Sequence, residues 1–477
     1  MTVYNGTCGT SATWEFDDET GVLTISGTGA INGYSHSSGI TSDYFAHKSK
    51  ITSVIINSGI TRLGAYSFQY FTSMREITIP DTVNTIDNGV FRNCSAVTSL
   101  VIPNAVTIIG PETFYYCTSL ETIDMPGVNT VWGYYTFAYS GIKTISVPAG
   151  TVNLSANTFR ECKNLISVTL PSNLAKIENS VFYNCTSLQS IVIPESVTNI
   201  QGEAFYGCSS LETIEIPASV TNLGESVFAG CTGLTSMVIP AGITTLSSGL
   251  FANCINLKSV TIPSSITWIS ASGSKTRGSF SNCESLESVE LSPNITYIGD
   301  YTFCGSGIKS ITIPPSVTYI GNYVFSDCES LESVELSPNI TSIGTWQFAN
   351  CQALTSITIP ASVTTIEQYA FENCSNLTEI IFIGNRPNSI NTYTSFQLGT
   401  SEKPVHSTIY STGWASDEVF GKSMYTTFTY KRLGGITVPV NVHDVWKECV
   451  PMGNVNGEWK ELTEAFENVH GVWKEKV

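Results

Sequence analysis

Fourteen cysteines punctuate a chain of 477 residues. Eleven of them (Cys94, Cys117, Cys162, Cys185, Cys208, Cys231, Cys254, Cys283, Cys328, Cys351 and Cys374) fall three residues after a phenylalanine. Regularly spaced thiols can form disulfides, ligate metal or act as nucleophiles. No C-x-x-C pair occurs, so the spacing of a zinc site is absent. The histidines (His36, His47, His406, His443 and His470) never form H-E-x-x-H, and neither G-x-S-x-G nor a phosphate-binding G-x-x-x-x-G-K-S/T occurs. GTGAING, Gly27 to Gly33, misses the G-x-G-x-x-G spacing and reads as a turn. Acidic residues are plentiful, 39 against 22 Lys and Arg. Glycoside hydrolysis needs two carboxyls about 5–9.5 Å apart in a cleft. In a repeating chain neighbouring repeats meet that distance trivially, so the distance is no evidence. The reading is of a protein that is not an enzyme, with no cofactor and no metal.

The elements that position these residues come from a repeat. Phenylalanine recurs at 68, 91, 114, 137, 159, 182, 205, 228, 251, 280, 303, 325, 348 and 371. The step is 23 residues, with two of 22 and one of 29. The unit reads F-x-x-C-x-x-L-x-x-I-x-I-P-x-x-V-x-x-I-G; FANCQALTSITIPASVTTIE, Phe348 to Glu367, is a clean copy. The I-x-I segment predicts a short strand with Ile357 and Ile359 on one face and Ser356 and Thr358 on the other. Proline lacks an N–H and ends it. One coil cannot bury its Phe, Leu and Ile alone, whereas stacked coils share a core. Fifteen such strands are expected, from Val54/Ile56 to Ile380/Phe382. The period therefore predicts a β-rich solenoid of short parallel strands with caps and a small β tail.

On neighbouring coils the cysteines would lie ~4.8 Å apart. Parallel in-register side chains hold their Cβ atoms too far apart for good disulfide geometry. The expectation is a buried ladder of thiols acting as small hydrophobes. Ser140 and Ser306 take the slot in the two 22-residue units, which favours small size over disulfide bonding. Cys8, Cys304 and Cys449 lie outside it; a disulfide at Cys8 stays open.

The L-x-x-I-x-I-P-x-x-V pattern with its Phe, Cys and Pro columns resembles the BspA-like leucine-rich repeats of bacterial surface proteins, over about residues 51–385. TWEFDDETGVLTISGTGAI, Thr13 to Ile31, resembles the β-hairpin cap that precedes such arrays. The resemblance implies binding or adhesion rather than catalysis, with display outside the cell. The boundaries read as an N-terminal cap over 1–50, the solenoid over 51–398, a C-terminal cap over 399–433 and a tail over 434–477. In the tail, NVHDVWKEC, NVNGEWKEL and NVHGVWKEK each read as a hairpin. They resemble modules at the ends of phage tail-associated proteins, which implies self-association or particle attachment through 434–477.

Outward strand residues of such a solenoid line one face. Asp124, Glu215, Glu290 and Glu335 fall in one column, with Glu287 and Glu332 towards its rim. The phrase CESLESVELSPNIT occurs twice, and these last four acids are the part of it the core does not require. An aromatic patch of Trp132, Tyr134, Tyr135 and Tyr139 and an inserted loop carrying Lys275 and Arg277 are further candidates. The expected partner is a protein or glycan on a cell surface. A net charge of −17 disfavours nucleic acid and anionic membrane, which call for a basic footprint. No run of 18 apolar residues occurs, so no membrane insertion is expected. MTVYNGTCGT has neither a basic nor an apolar leader region. That leaves a leaderless protein or one whose leader has been removed.

Overall fold

The computed structural model describes residues 2–35, 43–126, 130–270, 273, 277–383 and 387–390, and beyond these the strands 405–409, 428–432, 441–442, 445–446, 452–455, 458–461, 466–469 and 472–475. Lys275, Cys449 and most of the expected C-terminal cap lie outside the described residues. The chain divides into two compact units, Met1–Ser265 and Ile266–Val477. No helix among the described residues is long and apolar enough to cross a membrane.

The first unit opens with an antiparallel sheet of β1 (Val3–Thr7), β2 (Ser11–Asp17) and β3 (Val22–Ala30). The expected hairpin is β2 and β3. Its alternation buries Ala12, Trp14, Phe16, Leu23 and Ile25 on one face. β3 then templates the solenoid. Its first half pairs in parallel with β4 (Ser53–Ile56), Val22 against Ser53 to Ile25 against Ile56. Its far end pairs with β5 (Ile60–Leu63), with a register shift between Gly29 and Ala30. GTGAING is thus not a turn: Gly27 to Ala30 belong to the strand. Gly27 (φ 107) and Gly29 (φ 85) supply the bend, which a side-chain-bearing residue resists.

Two columns of parallel strands follow. The predicted column contains Glu76–Thr78, Ser99–Val101, Thr122–Asp124, Thr144–Ser146 and Ser167–Thr169, then Ser236–Val238 and Ser259–Thr261. At Val192 and Glu215 it thins to a single bridge between those two residues. A second column of two-residue strands, such as Lys176–Ile177, Asn199–Ile200 and Asn222–Leu223, comes from the V-x-x-I segment; sequence reading did not anticipate it, because two residues carry no visible alternation.

The third edge of each coil is the turn around the phenylalanine. Rings of adjacent coils stack nearly parallel from Phe68 to Phe251, with centroids 5.0–5.9 Å apart. Each turn is tied to the next by three backbone hydrogen bonds. Glu112 N donates to Tyr134 O (3.0 Å), Phe114 N to Thr136 O (2.8 Å) and Tyr116 N to Ala138 O (3.0 Å). Aiming three alternate N–H groups at the neighbouring coil puts the residues two before and two after the phenylalanine into the left-handed region. Gly89, Gly207, Gly230 and Gly249 fit there, but so do Tyr66, Tyr70, Tyr116, Tyr135 and Tyr139. A side chain in that conformation costs ~1–2 kcal/mol. Ring stacking of ~0.5–1.5 kcal/mol per pair offsets only part of it.

The second unit repeats the plan. Phe280, Phe303, Phe325, Phe348 and Phe371 stack at 5.3–5.7 Å. The predicted strand at Ser288 is reduced to a bridge to Ser310. The parallel sheet does not stop at Phe382: Ser356–Ile359 and Glu379–Phe382 are followed by Val405–Ile409 and Phe428–Arg432 in register. VHSTI and FTYKR lack the I-x-I-P signature, so the pattern did not count them as strands. The tail forms three antiparallel hairpins, pairing Asn441 with Trp446, Asn454 with Trp459 and Asn468 with Trp473, as expected of the repeated phrase.

The cysteines among the described residues are buried thiols, Cys8 included. Size alone does not explain their slot. In the first unit each repeat thiol donates to the carbonyl of a phenylalanine one coil back, Cys185 to Phe159, Cys208 to Phe182 and Cys231 to Phe205, all at 3.1 Å. The second unit does the same, Cys351 to Phe325 at 3.2 Å. A buried carbonyl left without a donor costs ~1–3 kcal/mol. The hydroxyls of Ser140 and Ser306 lie 3.5 Å from Cys162 Sγ and Cys328 Sγ, so serine keeps the polar character of the slot.

Burial pushes the Cys117, Cys162, Cys208, Cys254 and Cys328 thiols up to about 12. Their folded values exceed the unfolded one of ~8.5, so the fold holds protons that the unfolded chain releases. Their stabilisation is complete below ~8.5 and falls by ~1.4 kcal/mol per thiol per pH unit as pH rises towards 12. Circular dichroism against pH is expected to show alkaline unfolding above about pH 9, with a shallower dependence in Cys208→Ser.

Candidate recognition surfaces

The outward residues of the predicted strands form a single column in the first unit. Register places Thr24 beside Ile55 and Ile55 beside Thr78. Further along, Val101 lies beside Asp124, and Ser146 beside Thr169. Val192 meets Glu215, and Val238 lies beside Thr261. The strands put these side chains outward because their neighbours, such as Leu100, Val168, Met237 and Val260, are buried. Val192 is 83% exposed, Val238 67% and Val101 64%. Around Asp124 the small Ser146 leaves a shallow depression of about 280 Å³, whose hydroxyls are Thr122, Thr144, Ser146, Ser167 and Thr169.

The acids of the duplicated phrase sit in the second unit, and all four are exposed. Ser288 bridges to Ser310, and Thr312 pairs with Glu335, which brings Glu290, Thr312 and Glu335 onto one side. Thr312 Oγ1 donates to Glu335 Oε2 at 3.3 Å. Glu287 is held by Lys309 at 2.9 Å. The first unit has the same pair, Lys143 with Glu121 at 2.8 Å. Sequence reading missed both lysines, though GIKTI and GIKSI one coil after an L-E-T or L-E-S phrase was the available signal. Solvent-exposed pairs of this kind contribute ~0–1 kcal/mol. Glu290 and Glu332 make no ion pair among the described residues. No cluster of three or more metal-ligating side chains exists among the described residues. Asp124 and Glu215 are exposed one by one along the first unit, and Arg277 is exposed in the inserted loop.

The aromatic patch needs one correction. Trp132 is buried, 3% exposed, and packs edge-on against Phe137 and Phe159 at 5.3 and 6.1 Å. It occupies the inward position of its two-residue strand, where other coils place Ile or Leu. Tyr134 is 52% exposed, with Tyr135 and Tyr139 half-buried. They join Tyr115 and Tyr116 from the preceding coil, Tyr116 and Tyr139 stacking at 4.5 Å and 6°. In the second unit two aromatic ladders were missed. Trp268, Tyr297 and Tyr319 stack at 3.8 and 4.8 Å. Tyr301, Tyr323, Trp346 and Tyr369 follow at 4.6–6.1 Å. Their signal was positional: T-W-I or T-Y-I in one column, and an aromatic two residues before phenylalanine in the other.

The sequence profile of the BspA type leucine-rich-repeat region, a six-copy unit, matches residues 38–166, 152–273 and 276–397. The chain belongs to the BspA-type leucine-rich-repeat family. A leucine-rich repeat protein of Bacteroides ovatus shares the BspA-type chain's fold at 21% identity and a TM-score of 0.53, covering 88% of this chain and 98% of that one. A leucine rich cell surface protein of Faecalibacterium prausnitzii aligns at 27% identity over 61% of this chain and 94% of its own, with a TM-score of 0.36. Nothing among the curated proteins matches.

The two aromatic environments predict opposite mutational behaviour. Trp132→Ala should lose ~3–5 kcal/mol by opening a core cavity. Tyr134→Ala should stay within ~0.5 kcal/mol of the parent. Urea titrations of both variants check the difference.

Proposed function

We propose that the BspA-type chain is a non-enzymatic recognition protein, displayed on a cell surface or particle, whose strand face binds a protein or glycan of another cell. One observation carries this reading: the outward column, with valines up to 83% exposed between acids and hydroxyls, has no packing role in its own unit. A column of short side chains repeated at coil spacing suits a broad, multivalent contact rather than a deep small-molecule pocket. Tyr, Trp and Arg, the usual dominant contact residues, are scarce on it, so binding through this face is shared among many coils. The test is saturable binding of the labelled full chain to epithelial cells, read by flow cytometry. Replacing Glu287, Glu290, Glu332 and Glu335 together by Gln is expected to weaken binding at least tenfold without shifting the melting curve. Full binding after that change would remove the acids from the site. No binding by the parent chain would leave a structural spacer as the better account.

The tail supports a second reading. Three hairpins with the same Asn-to-Trp register each stand as a separate two-stranded sheet, and such hairpins are marginal alone. Residues 434–477 then serve self-association or attachment to a particle. Light scattering on the chain with and without them should show a loss of oligomer mass on removal. An unchanged mass would leave particle attachment as the surviving form of this reading.

A further inference from the structure

The tyrosines of the first unit's turn edge form a cluster of their own. Elsewhere on this edge most left-handed positions hold glycine, asparagine, serine or glutamate, for example Gly207, Asn93, Ser180 and Glu203. Tyr116, Tyr135 and Tyr139 occupy the same positions against backbone preference. Their rings meet from three directions. Tyr116 and Tyr139 are parallel. Tyr115 stands edge-on to Tyr135 and Tyr139, at 6.2 and 5.4 Å. Tyr134 stands edge-on to Tyr135 at 5.9 Å. Beside them the Arg160 guanidinium lies 3.8 Å from the Tyr183 ring centroid.

We propose that this edge, centred on Tyr115, Tyr116, Tyr134, Tyr135, Tyr139 and Arg160, is a binding platform for a neutral oligosaccharide. Composition selects the ligand. Exposed groups here are phenol rings and planar polar side chains. The exposed valines of this unit's strand face, Val101, Val192 and Val238, lie on a different side of the coil. A ring face packs against the C–H face of a sugar, while amide, carboxylate and guanidinium groups hydrogen-bond its hydroxyls. Two of the cations here are already matched, Arg92 with Glu112 and Lys163 with Glu161, and Arg160 lies over the Tyr183 ring, which disfavours a charged ligand. The ring contacts fix the platform before binding, so little side-chain freedom is lost when a sugar arrives.

The experiment uses the full chain with neutral gluco-, galacto- and manno-hexaoses, plus sialylated and sulfated oligosaccharides for comparison. Saturation-transfer NMR and calorimetry read binding. At least one neutral hexaose is expected to bind, with transfer from tyrosine ring protons. Tyr139→Asn, which suits the left-handed backbone, and Tyr134→Ala, at an exposed ring, should each weaken it at least tenfold. Val192→Ser on the strand face should leave it unchanged, so this platform and the strand-face reading fail separately. The proposal is overturned if no neutral hexaose binds or if both tyrosine variants bind like the parent. It is also overturned if acidic sugars bind tenfold better through Arg160, seen as loss in Arg160→Gln. Should Tyr139→Asn not fold, Tyr134→Ala decides alone.

Discussion

Everything in this protein depends on the hydrogen-bonded spacing between successive coils. Parallel backbone pairing fixes that spacing at ~4.8 Å, so each inward side chain meets its counterpart one repeat away. Phenylalanine must stack on phenylalanine, and a thiol must reach the carbonyl of the coil before it. The repeat is uniform because the contacts are between like positions, and a change in one coil is felt by two neighbours. The steps of 22 residues keep the strand register by dropping a residue elsewhere, and their serines preserve the polar slot.

The same pairing decides which side chains are left exposed. On the strand side the pleat sends every second residue outward, and the chain fills those positions with hydroxyls, acids and β-branched groups. On the turn side the need to aim three N–H groups at the next coil forces two left-handed residues per repeat. Those positions project from the body and are indifferent to the core. About half of these positions hold glycine, asparagine or serine, and most of the others hold tyrosine, tryptophan or an acid. Two surfaces of different chemistry thus arise from one backbone constraint, with the aromatic groups on the turn side and almost none on the strand column.

Lysines illustrate how local the electrostatics are. Lys143 and Lys309 each neutralise a glutamate of the preceding coil, and both belong to the shortened units. The duplicated phrase is therefore not four equivalent acids: Glu287 is paired, Glu335 accepts a hydroxyl, and Glu290 and Glu332 stand in solvent.

Sequence alone determined the repeat, the predicted strand column, the burial of Phe, Leu and Ile, the thiol ladder and the tail hairpins. Each follows from a period and from residue types whose burial or turn preference is strong. Tertiary structure alone decided the rest. Trp132 counted as an exposed aromatic until its two-residue strand turned it inward, a direction no alternation could reveal over so short a segment. The strands at 405–409 and 428–432 join the sheet because an open edge accepts any extended segment in register, whatever its signature. Gly27 and Gly29 became a bend within β3 because one strand had to open both columns. Which tyrosines gather depends on contacts between coils more than twenty residues apart, and the backbone pairing that brings them together leaves no mark within either coil.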